Sequence, residues 1–84
     1  MKGVQFVRDI PPIHPGRILA EQYLSDLGLS QRKLAELLDV PPRRVNQIVQ
    51  CQRAITPDTS LRLGKLLGQS DTYWLNLQSH YDIE

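Results

Sequence analysis

The chain has 84 residues, a formal net charge of +1, a hydrophobic share of 40% and one cysteine. That size fits one domain with one small core, and no apolar run is long enough to span a bilayer. The opening MKGVQFVRDIPPIHPG has no secretory h-region, and the lone Cys51 excludes an internal disulfide and a cysteine-based metal site, so a cytoplasmic protein in a reducing compartment is expected.

Residues 1–14 are predicted to form an N-terminal arm. Pro11 and Pro12 exclude a helix there, and Val4, Phe6 and Val7 allow at most a short strand. A first helix is predicted from Pro15, a residue suited to the first helical position, to a stop at Gly28. Its inward side is expected to carry Leu19, Ala20, Tyr23, Leu24 and Leu27. His14 is expected to help start it. Ser30 then caps a second helix with Leu34, Ala35 and Leu38 as its apolar stripe. Asp39 sits at the turn, where a left-handed backbone suits it better than most residues.

A third helix is predicted from Pro42, with Val45, Ile48 and Val49 facing inward. Thr56 caps a fourth, opened by Pro57 and Asp58. Leu63, Leu66 and Leu67 are expected to face the core, and Gly64 to let another helix come close. Ser70 is expected to cap a fifth helix with Trp74, Leu77 and Tyr81 on one stripe. The predicted fold class is all-α: a compact five-helix bundle, lambda-repressor-like, whose second and third helices form a helix-turn-helix. Residues 15–84 make up that domain.

The charge is unevenly placed. Residues 30–53 carry Arg32, Lys33, Arg43, Arg44 and Arg53 against Glu36 and Asp39, a net of +3, whereas residues 70–84 carry a net of −3. The basic segment coincides with the predicted helix-turn-helix, whose second helix lies in the DNA major groove. Pro41 and Pro42 hold the start of that helix with fixed φ. Opposite its buried stripe lie Arg43, Gln47 and Gln50, flanked by Arg44 and Asn46. Arg suits guanine edges, and Asn or Gln suits adenine. Two cations at a helix N-terminus oppose the dipole by a few tenths of a kcal/mol, and a nearby phosphate would reverse that sign. Gln31 at the start of the second helix and Arg53 after the third are candidate phosphate ligands. Arg32 and Lys33 add to the field.

The fifth helix bears Tyr73, Trp74, Leu75, Leu77 and Tyr81, more apolar surface than one helix face buries. Part of it is expected to pack on a second copy, giving a homodimer that suits a palindromic site in double-stranded DNA. His14 and His80 join no carboxylate or cysteine pattern. There is no phosphate loop, nucleophile motif or metal-spaced ligand set, so neither an enzyme nor a cofactor is expected.

"IHPGRIL" at 13–19, "LSQRKLAELLDV" at 29–40, "RAITPDTSLRLGKLLG" at 53–68 and "YWLNLQSHYD" at 73–82 together resemble HigA-type antitoxins of the Xre/Cro-like helix-turn-helix group. The resemblance implies a bacterial five-helix protein that dimerises, binds a palindromic operator, represses its own operon and neutralises a ribonuclease toxin of the HigB/RelE type. By position it implies base-facing Pro42, Arg43 and Gln47, a phosphate held by Gln31, and a dimer contact on the fifth helix. This chain departs from the group with Pro41–Pro42 where a small polar cap is common, and with Cys51–Gln52 in place of Gly-Lys. Two alternatives stay open: a standalone Xre-type regulator without a toxin, and a protein-interaction module that has lost DNA binding.

Overall fold

The computed structural model describes residues 12–83. Helix α1 begins as Pro15–Ile18, widens to an i→i+5 register over Leu19–Leu24 and closes with Ser25–Leu27. Then follow α2, Gln31–Leu38; α3, Pro42–Val49; α4, Pro57–Leu67; and α5, Tyr73–Ile83. No strand occurs among the described residues, so the all-α, five-helix expectation holds. The strand considered for residues 4–7, and nearly all of the expected arm, lie outside the described residues.

Local chemistry sets most helix ends. His14 Nδ1 accepts from the Gly16 amide at 2.9 Å, which starts α1. Ser30 Oγ accepts from the Lys33 amide at 3.0 Å, and Thr56 Oγ1 from the Thr59 amide at 3.4 Å. Each satisfies an N–H that lacks an intrahelical partner. Asp39 ends α2 in the left-handed region at φ 60.

The core draws on every helix: Leu19 and Leu24 from α1, Leu34, Ala35 and Leu38 from α2, Val45 and Ile48 from α3, Leu63 from α4 and Trp74 from α5. Ile55, in the segment before α4, joins them. Its amide donates to the buried Gln78 Oε1 at 2.8 Å, which ties that segment to α5.

Four local expectations fail for physical reasons. Helix α1 is not regular: the Ser25 amide reaches back five residues to the Ala20 carbonyl. The wider turn breaks the 19/23/27 face, and Leu27 stands in solvent. In α4 the inward side holds Thr59, Ser60, Leu63 and Gly64, while Leu66 is exposed. Ser60 is buried because its Oγ donates to the Asp71 carbonyl at 2.6 Å and accepts from the Leu75 amide at 3.0 Å. Gly64 admits no neighbouring helix; a Cβ there would lie 2.5 Å from the Ser70 carbonyl oxygen, in the turn that follows α4. Ser70 does not cap α5 with its side chain; its carbonyl accepts from the Tyr73 amide, and the first i→i+4 bond runs from Asn76 to Thr72.

Gly16 fixes how α1 meets α3. A Cβ at this position would fall on the Ile48 carbonyl oxygen, deep inside van der Waals contact. Only glycine lets the first turn of α1 pass this close to the last turn of α3, and that contact sets the tilt of the helix carrying the candidate DNA face.

Candidate nucleic-acid interface

Helix α3 starts without a side-chain cap. Pro41 takes an extended backbone, φ −62 and ψ 140, and Pro42 occupies the first helical position. Both prolines already have the φ their positions need, so the frame holds without a hydroxyl or carboxylate at the N-cap. The buried side is Val45 and Ile48, with Val49 half-buried. That turns Arg43 to solvent, places Gln47 half-buried beside it and leaves Gln50 exposed at the C-terminal end. Pro41, Arg43, Arg44, Gln47 and Arg53 line one shallow depression. Arg53, distant from α3's first turn in sequence, is thus brought beside it. Among the described residues, neither Arg43 nor Arg53 is paired with a carboxylate.

Three of the residues expected to read or hold DNA, Gln31, Arg44 and Asn46, have partners within the chain. The Asn46 amide donates to Gln31 Oε1 at 2.5 Å, so it braces α3 against the start of α2. Gln31 is left with its own amide N–H groups as donors. Arg44, on the flank expected for it, is turned toward α4. Its NH1 lies 2.9 Å from Asp58 Oδ2, and its side chain is only 28% exposed.

Asp58 is a site residue that sequence reasoning missed, having credited it only with a favourable place near the start of α4. Arg62 Nε donates to both of its oxygens at 3.1 Å. The Arg62 NH1 in turn donates to the Leu38 carbonyl at 2.9 Å and the Asp39 carbonyl at 3.4 Å, closing the C-terminal end of α2. Hydrogen bonds from Arg62, then from Arg44, hold the Asp58 carboxyl below the usual carboxylate range. The i,i+4 spacing of Asp58 and Arg62 was the available signal; the link to Arg44, across 14 positions, had none.

The aromatic set of α5 is distributed differently from expectation. Trp74 is fully enclosed by its own chain. Its indole N–H donates to Gln69 Oε1 at 2.7 Å, and its ring meets Tyr23 edge to face at 5.2 Å. It therefore has no surface to offer a second copy. Leu75, Leu77 and Tyr81 are half-buried, and Tyr73 keeps 38% of its surface. Tyr81 packs against the ring of His14, centroids 5.0 Å apart. The monomer closes over much of what was expected to need a partner, because Tyr23 and Gln69 supply the missing walls. His80 is exposed, and no group of three potential metal ligands occurs among the described residues. No described helix is long and apolar enough to cross a membrane.

A helix-turn-helix family model matches residues 19–75, a span that includes every residue of this depression. Virulence-associated protein I of Dichelobacter nodosus is 50% identical over 76 residues, covering 90% of this chain and 70% of that protein. Among solved structures, the Pseudomonas aeruginosa antitoxin HigA with the higBA promoter superposes with a TM-score of 0.84 at 43% identity, over 86% of this chain and 78% of that one. An addiction module antidote protein of the HigA family from Coxiella burnetii superposes with a TM-score of 0.83 at 47% identity, over 88% and 80%. With its helix-turn-helix geometry and these relatives, the chain belongs to the helix-turn-helix family, in its group of HigA-type antitoxins.

Proposed function

We propose that the protein is an antitoxin-type transcriptional repressor that binds a palindromic operator as a homodimer and neutralises a HigB/RelE-like ribonuclease toxin in the cytoplasm. The observation that carries the DNA reading is the exposed Arg43 and Arg53, without a carboxylate partner among the described residues, gathered with Gln47 in one depression beside α3. Its weight is increased by the promoter-bound Pseudomonas HigA, 43% identical. Arg43 and Gln47 supply base discrimination, with Pro42 and Gln50 at the edges of the same face. Arg53 and the Gln31 amide hold phosphate, and Arg32 and Lys33 add long-range attraction. Tyr73, with the outer surfaces of Leu75, Leu77 and Tyr81, offers the copy-to-copy contact; Trp74 is left to the core. This function involves no catalytic step and no cofactor.

The test is fluorescence anisotropy with the DNA upstream of the protein's own gene, at two salt concentrations and against scrambled duplex. Tight, salt-sensitive, selective binding with two protomers per site is the expected result. Equal affinity for scrambled duplex would sink the repressor reading and favour an interaction module. Selective binding without co-purification of a small basic protein encoded beside this gene would leave a standalone regulator.

A further inference from the structure

Arg44 lies on the flank of the DNA-facing helix, one residue beyond Arg43, yet its guanidinium is held by Asp58 at 2.9 Å. Asp58 is itself fixed from the far side. Arg62 grips both of its oxygens, and Arg62 is anchored to the carbonyls that end α2. A carboxylate held this way is the chemical analogue of a DNA phosphate, because a guanidinium fork recognises both with the same charge-assisted hydrogen bonds. Asp58 was already ionised and in place before any duplex arrives.

We infer that Asp58 keeps Arg44 off the DNA backbone, and so acts as a specificity-setting residue for the operator binding proposed above, on which this inference rests. Phosphate contacts carry no sequence information and strengthen binding to every duplex alike. Removing one such cation from beside Arg43 and Gln47 lowers affinity for unrelated DNA and leaves the base contacts intact. Arg44 is then a positioning residue. It ties the start of α3 to the start of α4, and through Asp58 and Arg62 to the end of α2.

The test compares the full chain with Asp58→Asn, Arg44→Gln and the double variant, on operator and scrambled duplex, across a salt series. Arg44→Gln is expected to leave the slope of log K against log salt unchanged. Asp58→Asn is expected to steepen it by about 0.9 per protomer, with a larger gain on scrambled duplex than on operator. The double variant is expected to return to the starting slope. A flattening of about 0.9 per protomer in Arg44→Gln alone would overturn the inference, since Arg44 would then touch phosphate despite Asp58. So would an Asp58→Asn protein that is folded and has unchanged affinity for scrambled duplex. If Asp58→Asn does not fold, Arg44→Gln decides the matter alone. Selective operator binding with an unaltered Asp58→Asn profile overturns this inference only, whereas a parent protein with no salt-dependent binding overturns the operator reading as well.

Discussion

The side-chain amide of Asn46 in α3 donates to Gln31 Oε1, the first residue of α2, at 2.5 Å. This bond joins the two helices of the helix-turn-helix at the end nearest the candidate DNA face. It leaves the Gln31 amide N–H groups as donors and ties α3 to the start of α2. Gln31→Ala and Asn46→Ala should each weaken operator binding by about 1 kcal/mol, the net value of one such bond. In a double-mutant cycle the two should be strongly non-additive. Additive losses, measured by anisotropy, would mean that the residues contact DNA independently.

Arg43 is exposed, without a carboxylate partner among the described residues, and seated beside Gln47. Arg43→Ala should cost about 1–3 kcal/mol on the operator and relax base preference at one position per half-site. A selection from randomised duplexes reads the second effect directly. A uniform loss on all duplexes would reassign Arg43 to the backbone.

His14 makes stability depend on pH. The Gly16 amide donates to its Nδ1, so that nitrogen must keep its lone pair while the cap is intact. Burial lowers the imidazole pKa from its usual 6.5, and the Asp82 carboxylate opposes this in part. The unfolded chain therefore takes up the proton first as pH falls. The cap's full contribution is present above about pH 6.5 and declines below it, until the folded imidazole also protonates. Urea midpoints from about pH 7.5 to 5 should fall for the parent protein. His14→Asn keeps a capping acceptor and should lack that part of the slope; an identical slope would exonerate His14.

Cys51 follows α3 at φ 62, a left-handed conformation that is strained for a residue with a Cβ. That strain costs roughly 1–2 kcal/mol, against about 0.5–1 kcal/mol for the extra backbone freedom of glycine. Cys51→Gly should therefore raise stability by about 0.5–1 kcal/mol, read as a higher denaturant midpoint with an unchanged m-value. Unchanged or lower stability would mean that the Cys51 side chain contributes packing that outweighs its backbone.

The helix-turn-helix was legible in the sequence because its signals are local. Ser30, Asp39 and Pro42 each act on backbone within a turn of themselves, and each sits where expected. The interactions that escaped are long-range or unusual in polarity. Nothing near Gln78 announces that it is buried to receive the Ile55 amide, and Arg44 has no local sign of its partner on α4. The wider register of α1 was hidden because Leu19, Tyr23 and Leu27 satisfy an ordinary helical period. Trp74 shows a further limit: an apolar list on one helix does not say whether its own chain or a neighbour encloses it.

The Pro41–Pro42 pair separates framing from reading. In most helices the residue that starts the first turn does so through its side chain, so a change there disturbs both shape and contact. Here ring-constrained backbone starts α3, and Arg43 and Gln47 take no part in holding it. The exposed Arg43 can therefore be exchanged with little loss of fold, and the half-buried Gln47 for side chains of similar size. A set of such variants would be a natural starting point for retargeting the protein to new DNA sequences, and a lineage carrying this pair could change its operator without first having to rebuild its scaffold.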